Sequence, residues 1–313
     1  MAKYLNPKAD LTFKKVFGEH PNLVISLLNA LLPLKDDERV ERIEYWPAEK
    51  IPRRTEAEKD SIVDVCCHDN KSREFIVEMQ MTWTDSFKKR VLLNASKAYV
   101  AQSEVGEVYQ RLQPVYALNF VNAPMNLGTE GYYHHYQLVH QELSDEVIDG
   151  LQLVFIELPK FKPQSFSEKK MQVLWLRFLT EINEQTLEAP TELLENPEVS
   201  EALKIVEIAA YTRDEMRAYD KFWDIISTRK TEIYDYELKL EKVKADYEEA
   251  KSKVEEARAE VEEARAEAED ARVEAEEAKS KLFQTVRNLK AIGFTIEQVA
   301  EATGLSVEQI ERL

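Results

Sequence analysis

Residues 75–81 read FIVEMQM, an apolar, strand-like run interrupted by a carboxylate at Glu78 and an amide at Gln80. Residues two apart in a strand share a face. Glu78 and Gln80 therefore point together, with Ile76 beside them, while Val77, Met79 and Met81 point the other way into a core. The preceding run, SIVDVCCH at 61–68, carries a second carboxylate, Asp64, on one face with Ile62 and Cys66. Between the runs lies DNKS (69–72), whose turn-forming residues predict a hairpin. Such a hairpin brings Asp64 opposite the Glu78 region. Two carboxylates on adjacent strands, held among apolar neighbours, make a hard oxygen site that suits Mg²⁺ or Mn²⁺ over zinc. A metal there can ready a water and stabilise charge on a phosphoryl oxygen. Spacing alone leaves a second reading open, in which the carboxylates face solvent on the exposed side of an antiparallel sheet.

Other chemistries find little support. His134 and His135 are neighbours on a predicted strand, so only one can face a site, and His68 falls near the hairpin turn. No Ser–His–Asp arrangement or HExxH motif is present, and none of the seven glycines stands in GxxxxGK order, so no nucleotide cofactor is expected. Cys66 and Cys67 are adjacent, point to opposite faces of a strand, and fit neither a mutual disulfide nor a CxxC metal motif. That usage fits a reducing cytosol. The opening MAKYLNPKADLTFKK has no apolar signal core and no stretch is long enough to span a membrane, so a soluble cytoplasmic protein is expected.

The elements that must position Asp64 and Glu78 follow from periodicity. Apolar Leu11, Phe13, Val16 and Phe17 mark 9–17, and PNLVISLLNALLPL (21–34) predicts a helix started by Pro21 and stopped by Pro33. VERIEYW (40–46) reads as a strand, and the charged IPRRTEAEKD (51–60) as a loop. After the hairpin, 85–107 predicts a helix capped by Asp85, with Val91, Leu92, Ala95, Ala98 and Tyr99 at helical spacing. PVYALNFV (114–121) reads as a strand buried on both faces, and 132–140 and 151–158 as two more. A strand reached through a helical crossover can lie parallel in the sheet. Residues 166–229 turn helical, with Trp175, Phe178 and Trp223 as core anchors.

The chain has 313 residues and a net charge of −17, which argues weakly against nucleic acid because Lys and Arg drive phosphate binding. Residues 237–281 hold 16 acidic and 10 basic residues, leaving −11 elsewhere, so a DNA site must be a local basic patch. That acidic segment is also a repeat, with VEEARAE at 254–260 and again at 261–267. Ile233, Leu240, Tyr247, Val254, Val261, Ala268 and Ala275 fall at heptad position a, and Tyr236, Val243, Ala250, Ala257, Ala264, Ala271 and Ala278 at d. The pattern predicts a coiled coil of roughly 70 Å over 231–281 and a homo-oligomer through it. In a parallel pair Glu260–Arg265, Glu267–Arg272 and Glu274–Lys279 attract across the seam. An unpartnered, solvated helix is the alternative. The tail 282–313 has helix-turn-helix spacing around Gly304 and Ser306, yet SVEQIERL offers only Arg312 as a cation, so packing or protein docking competes with DNA reading.

The ordered set of NPKADLTFKKVFG, LLNALL, SIVDVCCHDNKSREFIVEMQM, the helix with Arg90, Tyr99 and Gln102, and QPVYALNFV resembles the PD-(D/E)XK nuclease superfamily. More closely it resembles the Rpn family of recombination-promoting nucleases and transposases, and IELPKF (156–161) and GFTIEQVAEATGLSVEQIERL extend the likeness. The resemblance implies an α/β restriction-endonuclease-like core, a mixed central sheet flanked by helices, over 1–160. A helical extension (161–230), the coiled coil (231–281) and a helical hairpin (282–313) would follow. It implies a Mg²⁺- or Mn²⁺-dependent DNA endonuclease with Asp64, Glu78 and the Met79 backbone carbonyl as metal ligands. Gln80 stands where the superfamily usually has a catalytic Lys, and relatives in this group also carry Gln there. A neutral amide hydrogen-bonds but supplies no charge. Arg90 and Lys97 are candidates for that charge, with Asp10, Lys14, Tyr99 and Gln102 as further supporting residues. For Asp10 a helix N-cap is the competing role. A catalytically weak nuclease-fold scaffold is the alternative function, and residue types alone do not separate RNA from DNA as substrate.

Overall fold

The protein is described here by a computed structural model that covers residues 3–46, 63–103, 108–125, 127–163 and 171–313. The charged 51–60 segment, Ser61, Ile62 and the 104–107 end of the expected third helix lie outside the described residues. Two compact units make up the chain, Met1–Thr231 and Glu232–Leu313.

The first unit opens with α1 (Asp10–Glu19) and α2 (Pro21–Leu31). Phe13, Val16 and Phe17 bury one face of α1, and Leu23, Val24, Leu27, Leu28 and Leu31 one face of α2. Both sets follow the three-and-four spacing that makes an amphipathic helix worth docking. Strands β1 (Ile43–Tyr45), β2 (Val65–Asp69) and β3 (Glu74–Gln80) come next, then α3 (Asp85–Ala101) and β4 (Val115–Val121). Strands β5 (Tyr133–Val139) and β6 (Val147–Glu157) complete one six-stranded sheet of order β1-β2-β3-β4-β6-β5. The pairs β1/β2, β2/β3 and β5/β6 are antiparallel, whereas β3/β4 and β4/β6 are parallel. The sheet is thus mixed, and α3 is the crossover that lets β4 run parallel to β3.

Side chains alternate across the sheet. Val65, Cys67, Phe75, Val77, Tyr116, Leu118 and Phe120 join α1 and α2 on one face, and Cys66, Ile76, Val115, Ala117 and Val121 meet α3 on the other. The two cysteines therefore enter different cores, both free and both buried. All seven residues of β4 are buried, as expected of a strand with parallel neighbours and helices on both faces.

Helices α4 (Met171–Glu181), α5 (Thr191–Glu195) and α6 (Pro197–Ile205) send Trp175, Phe178, Leu193, Val199 and Leu203 into the same core as Phe13 and Phe17. Trp175 packs edge-on against Phe17, ring centroids 5.4 Å apart, and its Nε1 donates to Ser26 Oγ at 3.1 Å. Much of the helical segment after residue 160 is thus built into the sheet's own core. The start of α7 (Arg213–Ala291) packs in a separate, smaller cluster, with Tyr219, Phe222 and Trp223 around Leu5 and Ala9.

In the second unit, α7 is one continuous helix through the heptad segment, where Ile233, Tyr236, Leu240, Val243, Tyr247, Val254 and Val261 are all exposed. The end of α7, with α8 (Ile296–Thr303) and α9 (Val307–Glu311), closes a small core on Val286, Val299 and Ile310. Thr295 and Ser306 form capping boxes, and Gly304 takes the left-handed conformation (φ 74°) that ends α8. Among the described residues no helix is long and apolar enough to cross a membrane.

Boundaries differ from the sequence reading at three places. Thr84, not Asp85, is the N-cap residue of α3, and neither side chain caps it. Strand β2 begins at Val65, so Asp64 stands just ahead of the ladder. Strand β6 begins at Val147, earlier than the apolar run at 151, because backbone pairing with β5 continues through residues that side-chain hydrophobicity does not mark.

A buried ion pair closes the β2–β3 turn. Asp69 Oδ2 accepts from Arg73 Nε at 2.8 Å and a second guanidinium nitrogen at 2.6 Å, while Oδ1 accepts the amides of Lys71 and Arg73 at 2.9 Å each. Ser72 takes a positive φ of 62° to complete the turn. Asp69→Ala would leave a buried guanidinium unpaired, and is expected to cost about 3–5 kcal/mol. Urea unfolding of the variant checks this, and a cost below about 1 kcal/mol would show that the turn holds its register without the pair.

Candidate active site

Backbone pairing of β2 and β3 ends at Val65↔Val77, so the same register carried one step further sets Asp64 opposite Glu78. There the Asp64 side chain replaces the missing backbone partner, its Oδ2 accepting the Met79 N–H at 2.7 Å. A strand residue's C=O leaves on the same edge as its N–H. The Met79 carbonyl therefore lies on the Asp64 side of β3.

Each carboxylate is met by a cation from a flanking helix. Lys14 Nζ lies 2.6 Å from Asp10 Oδ1, one helical turn away on α1, and 3.8 Å from Asp64 Oδ1. Asp10 pairs with this lysine and its charge is felt at Asp64, while Ala9, not Asp10, is the N-cap residue of α1. Beside it, Glu78 is almost fully buried under α3. Its Oε1 accepts from Asn94 Nδ2 at 3.1 Å, and its Oε2 faces Arg90 at 3.4 Å. Arg90 also donates to Gln80 Oε1 at 2.9 Å, and Gln80 Nε2 donates to the Thr82 carbonyl at 2.7 Å. The Gln80 amide is thereby oriented at both ends, with a guanidinium at its oxygen.

Burial disfavours the ionised form of both acids. It pushes Asp64 up to about 6, opposed by the Met79 N–H and Lys14 and reinforced by the charges of Asp10 and Glu78. Burial likewise raises Glu78, against the pull of Arg90 and Asn94. A pair of carboxylates held partly against their ionisation is a place where a divalent cation gains much from entering. Among the described residues no group of three or more His, Cys, Asp or Glu side chains gathers as a cage. Two carboxylates and a carbonyl still fit Mg²⁺, which commonly takes one or two carboxylates and completes its shell with water and substrate phosphate.

Lys97 is three residues beyond Asn94 on α3 and half-buried. Two expected participants lie elsewhere. Tyr99 packs beside Gly150 at the start of β6, and Gln102 exchanges hydrogen bonds with Gln113 at 2.8 and 3.1 Å. The structure does not bring Tyr99 or Gln102 to either carboxylate, because both sit toward the opposite end of α3. Trp46 donates to His68, His135 meets Gln152, and His134 faces Glu157, and among the described residues no histidine bonds Asp64 or Glu78.

The sequence model of the PD-(D/E)XK nuclease family transposases matches residues 7–232, which contain every side chain of this site. The chain belongs to that family. No curated protein matches it, and no solved structure does. Membership agrees with the mixed sheet flanked by helices, and a nuclease family implies DNA as substrate.

Sequence reasoning missed two residues that the structure sets beside Glu78. Asn94 lies on the buried face of α3 with Val91, Ala95 and Ala98, and a lone amide on an apolar stripe was the available signal. Asn119 is the β4 partner of Glu78 in the register and is fully buried. Its Nδ2 donates to the Ala117 and Val154 carbonyls at 3.0 Å each, while its Oδ1 has no hydrogen-bond partner among the described residues.

The raised Asp64 sets a pH dependence. The folded form holds its proton to higher pH than the unfolded chain, so this group lowers stability progressively as pH rises from about 4 to about 6. Asp64→Asn keeps an oxygen for the Met79 N–H and removes that penalty. Metal-free protein carrying it is expected to gain on the order of 2 kcal/mol at pH 8 and almost nothing at pH 4. Urea melts at the two pH values decide it, and equal effects at both would mean that Asp64 titrates normally.

Proposed function

We propose that the protein is a DNA endonuclease that hydrolyses phosphodiester bonds with Mg²⁺ or Mn²⁺, in a recombination, mobile-element or defence setting. The observation that carries this reading is the juxtaposition of Asp64 and Glu78 at the end of the β2–β3 ladder, with the Met79 amide tied to Asp64. Asp64, Glu78 and the Met79 carbonyl would hold the metal. When bound, the metal supplies a water of lowered pKa and charge stabilisation at the phosphoryl oxygen. Asn94 holds the Glu78 carboxylate in place. Arg90 supplies the positive charge that Gln80 lacks, and Gln80, oriented by Arg90 and Thr82, hydrogen-bonds at the reacting centre. Lys14 balances Asp64 until substrate and metal arrive.

A competing reading is favoured by Gln80 itself. With the usual lysine absent and Arg90 placed against Glu78, the fold could serve as a scaffold of low activity. Supercoiled-plasmid cleavage separates the two. Metal-dependent nicking by wild type, reduced at least about a hundredfold in Asp64→Ala and in Glu78→Ala, is expected of the nuclease. No cutting by well-folded wild type, with either metal, would favour the scaffold. Two buried, reduced cysteines agree with a cytosolic location.

Two copies would pair through the exposed a and d residues of α7, bringing two nuclease domains together to cut two strands. In parallel register the Glu260–Arg265, Glu267–Arg272 and Glu274–Lys279 contacts favour it. Sedimentation equilibrium is expected to show a dimer that dissociates in Leu240→Asp and Val254→Asp. A wild-type monomer at micromolar concentration would remove this part of the reading.

A further inference from the structure

Beside the candidate site lies a group of aromatic and basic side chains that the hydrolytic chemistry does not use. Trp83, three residues past Gln80, sits in the link between β3 and α3. Its half-buried indole meets Phe87 edge to face, centroids 6.1 Å apart. Lys88 Nζ stands 5.5 Å from the Trp83 ring centroid and 5.6 Å from that of Tyr136, on the edge strand β5. One ammonium thus bridges two rings from different elements, and the Tyr136 side is 40% exposed. Lys89, the next residue, is exposed as well.

The charge balance here is unlike that around it. Lys14 is neutralised by Asp10, Arg73 by Asp69 and Lys160 by Glu157. Among the described residues neither Lys88 nor Lys89 has an acidic partner. Helix α3 carries Lys88, Lys89, Arg90 and Lys97 against a single acid, Asp85, in a chain of net charge −17. Lys88 and Lys89, without acidic partners and next to the proposed phosphodiester-cleaving centre, call for an anion. A lysine resting on aromatic faces is held weakly enough to exchange them for phosphate.

We propose that Trp83, Lys88, Lys89 and Tyr136 form a platform for an unpaired DNA strand that leads to the carboxylates, an inference that rests on the nuclease reading. Lys88 and Lys89 take backbone phosphates, and the two rings take the bases that flank the scissile bond. Cations interleaved with aromatic faces bind single strands with little regard to sequence, because every base has a face to stack. In a duplex the bases stay stacked on one another, so only the lysines would engage. The platform therefore gives single-stranded, frayed or gapped DNA an advantage over intact duplex.

The test is binding of the full-length protein, in EDTA so that nothing is cut, to fluorescein-labelled oligothymidine of about 12 nucleotides and to a duplex of similar length. Trp83→Ala is expected to weaken oligothymidine binding about tenfold and duplex binding less than about twofold, with Trp83→Phe close to wild type. The double variant Lys88→Ala/Lys89→Ala, with its fold checked by circular dichroism because Lys88 is half-buried, is expected to weaken both. It should also flatten the dependence of log Kd on log salt for the single strand by about 1.4. Equal losses on both substrates in Trp83→Ala, or an unchanged salt slope in the lysine variant, would overturn the platform. If either occurs while wild-type plasmid cutting depends on Asp64, the nuclease reading stands without the platform. Wild type that neither binds nor cuts DNA would overturn both.

Discussion

The register of β2 against β3 is the constraint on which the candidate site depends. Side chains alternate with a period of two, so a slip of one residue would turn Asp64 away from Glu78 and drive Val65 and Cys67 out of their core. Hydrophobic alternation specifies that register from the middle of the strands, and the Asp69–Arg73 pair specifies it from the turn. Past Val65 no backbone ladder remains, and the Asp64 carboxylate takes over as partner of the Met79 amide. The residue that would hold metal is therefore also the one that finishes the hairpin.

Electrostatics sets a second tension. Two acids, Glu78 buried and Asp64 partly so, stand at an end of the sheet where burial opposes their charge, and the fold answers with one cation from each flanking helix, Lys14 from α1 and Arg90 from α3. Neither cation lies close enough to its acid for a strong pair, with separations of 3.8 and 3.4 Å. The site is thus left under-neutralised, which would favour divalent-cation binding at the expense of stability. Gln80 fits this arrangement because its amide receives the Arg90 guanidinium, so that charge and hydrogen bonding are divided between two side chains where a lysine would combine them.

The two units obey different rules. Residues 3–231 close a core in which sheet, α1, α2 and α4–α6 depend on one another, as Trp175 against Phe17 illustrates. In 232–313 the α7 heptad positions remain exposed while the short hairpin closes its own small core on Val286, Val299 and Ile310. Ala at most of the later d positions limits what a partner helix could bury there, so Ile233, Tyr236, Leu240, Val243 and Tyr247 hold most of the available apolar area.

Local pattern was enough to read the hairpin, the all-buried β4, the α3 crossover and the facing of Glu78, because period-two and helical alternation are properties of adjacent residues. Asp64 and Glu78 could be paired from sequence because a short turn leaves a hairpin few registers. What local pattern could not supply was contact between residues far apart in the chain. That Asn94 holds Glu78, that Asn119 lies beside it, and that Arg90 reaches Gln80 follow only when α3 is docked across the sheet. Tyr99 and Gln102 sit on that same helix, yet docking sends them to Gly150 and Gln113 at its far end. Helix 171–181 reads as amphipathic from sequence, but its place against α1 and α2 was decided by the tertiary core, since an apolar stripe specifies that a face is buried and not which surface covers it.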